Sequence, residues 1–241
     1  MAKRALVLSG GGLFAAFQAG AWRAVAPYFR PDIVVGASAG ALNAWLIASC
    51  IPPEELCRLW LKVDRDRTCV AQLRLPRFWG DGILDTCALE ELLKDLTTRY
   101  KPRIPLAVQV CEGLKFQTRV YRNEDLTLDH LLASCAVPLL LPAKRLNGKI
   151  SFDGGLREVC PIQAAWDFGA TKILAIDVWT HLPWWWRPLR KRIVVNKGVL
   201  RITPGVPLGP LRSAALWQPN AIERWIAQGE SDARKALSRR R

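Results

Sequence analysis

The sequence predicts an α/β fold, with a mixed or mostly parallel sheet between helical layers. Three observations predict it. Short apolar runs at residues 5–8, 32–35 and 172–178 have the length and composition of buried strands. The first two pass through glycine-containing turns straight into helical patterns, as in a βα unit. Half of the 241 residues are hydrophobic and 23% are charged, which supplies a substantial core and excludes wholesale disorder. A chain of this length suits one large domain, taken here as residues 1–241.

The elements follow in order. The strand at 5–8 runs into Gly10-Gly11-Gly12 and a helix over 13–28, where alanines and Gly20 allow close packing. A glycine turn before a helix offers unobstructed backbone amides for an anion. Prolines 27 and 31 end that helix. The strand at 32–35 then meets Gly36-Ala37-Ser38-Ala39-Gly40, and a helix is expected over 41–48. Strand, G-x-S-x-G turn and helix describe a nucleophile elbow: small residues let a strained backbone lift one hydroxyl clear of its surroundings. The helix behind it points free N–H groups and its positive dipole end at the serine. A plain Gly-Ala-Ser turn is the alternative for the pentapeptide alone.

Pro52-Pro53-Glu54-Glu55 opens another helix, with proline near its first position and acids in its first turn, running to about residue 63. Residues 65–85 are irregular, basic and aromatic. Helix resumes at 88–96, strands are expected at 105–111 and 115–122, and a helix over 126–136 stops at Pro138. Residues 149–152 lead into Asp153-Gly154-Gly155, a helix spans 161–168, and the strand at 172–178 is apolar throughout. Beyond it Trp184-Trp185-Trp186 and Arg187, Arg190, Lys191 and Arg192 make an aromatic, proline-broken, cationic stretch. A last helix over 220–237 carries Ile222, Trp225, Ile226 and Ala233.

Composition limits the setting. Seven scattered cysteines with no C-x-x-C pair argue against a disulfide framework and for a reducing compartment. The apolar run at 5–8 breaks too early for a signal peptide, and no run of about 18 apolar residues is present. A cytoplasmic protein is expected, peripheral on a membrane at most. The net charge of +14 is concentrated: residues 181–241 hold 13 Lys and Arg against 3 Asp and Glu. That suits a polyanionic surface, either anionic lipid or nucleic acid. Three adjacent tryptophans beside arginines favour the lipid interface over a core-packed loop, and no nucleic-acid recognition motif accompanies the charge.

A nucleophilic serine needs a base and oxyanion donors. Only two histidines are present. His130, inside a helix, reads as an ordinary partly buried histidine. An order of Ser38, Asp177 and His181 can be written, yet only one strand precedes the elbow strand and the last two residues crowd one strand end. Asp153 before two glycines is either an Asp-Gly turn or the base. A dinucleotide site is disfavoured, because Asp32 begins a strand where the ribose-binding acid should end one.

Taken together, Gly10-Gly11-Gly12, Gly36-Ala37-Ser38-Ala39-Gly40 and Asp153-Gly154-Gly155 make the sequence resemble the patatin-like phospholipases. Residues 133–138 and 169–177 resemble that family as well, so the likeness covers about 5–178. It implies a three-layer α/β/α sandwich with a mostly parallel central sheet. It also implies a lipid acyl hydrolase with Ser38 and Asp153 as a catalytic dyad, and Gly10, Gly11 and Gly12 as oxyanion hole. Gly36, Gly40, Gly154 and Gly155 would shape the two turns. The expected partners are a lipid ester and an anionic membrane surface, the latter met by Trp184, Trp185, Trp186, Arg187, Arg190, Lys191 and Arg192. No cofactor or metal is implied. One departure stands out: where the family's glycine loop usually continues with a basic residue and another glycine, this chain has Phe14 and Ala15. A membrane- or polyanion-binding relative with weak or lost catalysis is the alternative that this departure raises.

Overall fold

The computed structural model describes residues 2–66, 86–179 and 198–239. His181, the Trp184–Trp186 cluster with its arginines and most of the basic stretch at 65–85 lie outside the described residues.

Strand β1 (Arg4–Leu8) leads through the glycine loop and a 3-10 turn (Gly12–Ala15) to α1 (Ala16–Val25). Then come β2 (Ile33–Ala37), α2 (Ala39–Ala48), α3 (Pro53–Asp66), α4 (Cys87–Arg99), β3 (Leu106–Glu112) and β4 (Gln117–Arg122). The rest comprises α5 (Leu128–Cys135), β5 (Lys144–Leu146), β6 (Lys149–Asp153), α6 (Ile162–Asp167), β7 (Lys172–Ile176), β8 (Val199–Ile202) and α7 (Ala221–Ser238).

Among the described residues the strands form one eight-stranded sheet. Strands β3, β2, β1, β7 and β8 lie parallel in that order. Antiparallel pairing joins β3 to β4, β3 to β6 and β5 to β6. Alternate side chains of β1 enter two cores, as the two-residue strand period requires. Leu6 and Leu8 pack with Val34, Leu106, Val108, Leu174 and Ile176 under α1, α2 and α7. Ala5 and Val7 pack with Ile33, Val35, Ile173 and Ala175 against α6. The result is the mostly parallel α/β sandwich that the sequence predicts.

Register explains how distant parts of the chain meet. Strand β4 pairs with β3 along residues 107–112, so it occupies one edge of β3 throughout. The other edge is shared. Strand β2 takes its first part, ending with Ala37 opposite Gln109. Strand β6 arrives from the opposite direction and ends with Asp153 opposite Val110. The two strand ends therefore abut, and the residues that leave them are Ser38 and Asp153.

Helix α7 lies against α1, backbone to backbone. A Cβ on Gly20 would fall 1.9 Å from the Ile226 carbonyl oxygen, and one on Gly229 would fall 2.0 Å from that of Phe17. The close packing expected of Gly20 is thus with the last helix.

Several boundaries differ from expectation. The stretch 13–28 is a 3-10 turn followed by a helix that ends at Val25. The elbow strand runs on to Ala37 and α2 starts at Ala39, so Ser38 alone makes the reversal. Strand β7 stops at Ile176 because the Val178 amide turns to the Ser9 hydroxyl, 3.0 Å away. Two short strands, β5 and β8, carry no signal of their own; both are made by pairing with a neighbour.

Candidate active site

Ser38 has φ 53° and ψ −138°, a conformation that costs an L-residue energy and persists only when its surroundings enforce it. The glycines on either side permit it. A Cβ at position 36 would lie 2.5 Å from the Gly40 carbonyl oxygen, and one at position 40 would lie 2.3 Å from that of Ser9. Helix α2 begins directly after the serine, its first turn closed by the Ala41 amide on the Ser38 carbonyl at 2.8 Å. Its positive dipole end therefore faces the hydroxyl.

Asp153 leaves the end of β6 buried, at 4% exposure. Its Oδ1 accepts the Gly155 amide at 2.6 Å, and Oδ2 is buried with no hydrogen-bond partner among the described residues. Burial pushes its pKa up to about 6, while the Ser38 hydroxyl and the Gly155 amide act the other way by favouring the charged form. The serine is close enough to stabilise the carboxylate, yet no fully formed hydrogen bond closes on Oδ2. The free oxygen is the one available to a proton.

The glycine loop crosses directly against the elbow. A Cβ on Gly10 would fall 3.0 Å from the Ser38 Cβ, a contact tight enough to push the two apart, so glycine favours this close approach. The Gly10 amide donates to the Val159 carbonyl at 2.8 Å, which removes it from the set of available donors. Gly11 and Gly12, at the start of the 3-10 turn, form no backbone bond to a neighbouring element among the described residues. Of the three glycines, Gly11 and Gly12 offer amides and Gly10 offers space.

A buried polar chain holds this loop. Ser9 accepts the Val178 amide on its hydroxyl and the Gln18 side-chain amide on its carbonyl at 2.7 Å. Gln18 in turn accepts from Asn43, which also donates to the Ala15 carbonyl, both at 2.9 Å. The Trp60 indole closes the chain on Asn43. Phe14, the departure noted in the sequence, is buried edge-on against Trp179 and Trp225, with ring centroids 5.5 and 5.0 Å away. The Trp179 indole donates to the Gly10 carbonyl at 2.8 Å. Aromatic packing surrounds the position at which the resembled family's loop usually carries a basic residue.

The structure places the other candidates as follows. Gly154 lies against β3 at Gln109, and Gly155 supplies the amide on Asp153. Asp177 has both oxygens engaged, one by the Trp179 amide and one by Arg201, which argues against a role in an order with Ser38. His130 is buried and caps α5, its Nδ1 accepting the Thr127 amide at 3.2 Å. The sequence gives no sign of Gln109's place beside the elbow, and it marks Ser134 only as part of the 133–138 likeness. The signal for Gln109 was a lone polar residue inside an otherwise apolar strand, since such a group must find partners.

Residues 6–166 match a family model described as patatin-like phospholipase. Among solved structures, VipD from Legionella pneumophila superposes with a TM-score of 0.58 at 16% identity, over 98% of this chain and 67% of VipD. The type III effector protein ExoU of Pseudomonas aeruginosa gives 0.52 at 15% identity, over 100% of this chain and 53% of ExoU. The chain thus spans about two thirds of the first and about half of the second. Likeness at such identity concerns the fold. Comparison with curated protein sequences returns no match.

Proposed function

The chain belongs to the patatin-like phospholipase family, and from that premise we propose that it hydrolyses carboxylic esters of lipids through Ser38, with Asp153 as the base. The observation that carries this reading is the abutment of two strand ends on one edge of β3. It sets a strained serine beside a buried carboxyl whose outer oxygen has no partner among the described residues.

The steps follow from the groups present. The Ser38 hydroxyl attacks the acyl carbonyl carbon as its proton passes to Asp153. The oxygen that becomes negative is held by backbone amides, with Gly11 and Gly12 the donors the loop can supply and the α2 dipole adding to them. The alcohol departs with the proton, leaving an acyl ester on Ser38. Water then attacks the acyl carbon as it loses a proton to Asp153, and the acid is released as the departing Ser38 oxygen takes that proton back. A carboxyl with a pKa near 6 is ionised at pH 7 and is a far better base than an exposed aspartate.

The departure at Phe14 does not oppose this reading, because the mechanism draws on loop amides and not on a side chain at that position. The test is release of fatty acid from phospholipid vesicles. Wild type should turn over, and Ser38→Ala and Asp153→Asn should each lose activity by at least about 1,000-fold while keeping the native circular dichroism. Full activity in Asp153→Asn would remove the dyad.

A further inference from the structure

The last turn of α5 touches both members of the dyad. The Ser134 hydroxyl, fully buried, accepts the Ser38 amide at 2.9 Å and donates to the Gln109 carbonyl at 2.7 Å. Two residues later the Ala136 carbonyl accepts the Asp153 amide at 2.9 Å. Gln109 completes the arrangement from β3. It faces Ala37 in register, and its side-chain amide donates to the Gly154 and Glu158 carbonyls, each at 2.8 Å. None of these groups reaches the reacting atoms. Each fixes the backbone that carries them.

We propose that Ser134 is a positioning residue of the reaction: with Ala136 and Gln109 it forms a clasp that sets the separation of Ser38 and Asp153, a role that rests on the dyad proposed above. The reasons are geometric. Ser38 and Asp153 come from different strands whose ends meet without hydrogen-bonding to each other, so the β3 ladder alone cannot fix the distance between them. Helix α5 bonds to both from one side. A hydroxyl is the group that serves at 134, because it must accept from one backbone group and donate to another at the same point. It also holds the Ser38 amide away from the developing oxyanion, which leaves that task to the glycine loop. Catalytic rates fall steeply with small misplacements of reacting groups, so a clasp of this kind acts on turnover more than on binding.

The experiment measures kcat, KM and the acid limb of the pH profile on a soluble p-nitrophenyl acyl ester. The proteins compared are wild type, Ser38→Ala, Ser134→Ala, Gln109→Met and the Ser134→Ala/Gln109→Met double variant. Ser134→Ala should lower kcat ten- to a hundredfold with KM nearly unchanged, and should move the acid limb to higher pH as the serine hydroxyl withdraws from the carboxyl. The double variant should be no slower than the slower single one, since both disrupt one unit. Wild-type kcat and an unmoved limb in Ser134→Ala would overturn the clasp, as would losses that multiply in the double variant with the limb fixed. If Ser134→Ala does not fold, Gln109→Met decides by the same two readouts. Wild type no faster than Ser38→Ala would overturn the dyad itself and the clasp with it; a fast wild type with an unaffected Ser134→Ala overturns the clasp alone.

Discussion

At the scale of single residues, the consequential feature is the cost of keeping Asp153 in place. Its folded pKa of about 6 lies above the ordinary value of 3.8. A carboxyl with a raised folded pKa binds its proton more tightly in the folded state. Stability therefore falls as pH rises from about 4 to about 6, and the penalty is complete above that window. The difference corresponds to about 3 kcal/mol. Asp153→Asn removes the charge and keeps an acceptor for the Gly155 amide. It should melt several degrees higher than wild type at pH 8, with the gap shrinking toward pH 4, in thermal scans at both pH values. The same titration predicts that hydrolysis fades as pH falls through about 6, because the base becomes protonated. Loss of activity and gain of stability in one variant would mark a residue held for chemistry.

At the scale of elements, the elbow and the glycine loop depend on backbone contacts that leave no space for a side chain. Gly40→Ala would press a methyl group onto the Ser9 and Leu8 carbonyls, at 2.3 and 2.7 Å. It should cost about 1–3 kcal/mol or more, read as a lower urea midpoint at unchanged m-value. Phe14 belongs to the same unit. Phe14→Ala should cost about 3–5 kcal/mol by emptying the site between Trp179 and Trp225. Phe14→Arg, which restores the basic residue usual in the family, should destabilise further, because it buries a cation among aromatic rings and carbonyls. Urea midpoints of the two variants rank them directly.

These elements also show what the sequence could and could not tell. The turns at Ser38 and Asp153 were readable because each is a local pattern, a small-residue elbow and a tight Asp-Gly-Gly turn. Gly20 was readable as a packing residue but its partner was not, since the Ile226 backbone it meets lies far along the chain, on the last helix. Ser134 lay within the 133–138 likeness but its partner was hidden: one serine in an apolar helix looks like any other until strand register brings Ser38 to its hydroxyl. The same holds for β5 and β8, which exist by pairing and not by pattern. The glycine loop was legible as a turn before a helix, but the capture of the Gly10 amide by Val159 is a tertiary event.

At the scale of the whole molecule, no helix among the described residues is long and apolar enough to cross a membrane. The proposed substrate must nevertheless be reached at a lipid surface. We propose that Trp184, Trp185 and Trp186, with Arg187, Arg190, Lys191 and Arg192, seat the protein there, on the strength of their sequence alone. Tryptophan favours the membrane interface, and each nearby cation adds about 1 kcal/mol on an anionic leaflet. Co-sedimentation with anionic vesicles should fall markedly when the three tryptophans are replaced by alanine, and should fall again at high salt. Equal binding of the variant would show that these residues do not hold the protein on the membrane.

The proposed hydrolysis depends on activation of the Ser38 nucleophile by Asp153. It is tested most directly by the rate at which a fluorophosphonate labels the intact protein, with the modified residue located by peptide mass mapping. One label is expected, on Ser38, forming rapidly at pH 8, slowing as pH drops through about 6, and slowed by orders of magnitude in Asp153→Asn. Labelling of Ser38 at the wild-type rate in Asp153→Asn, or no labelling of Ser38 at all, would contradict it.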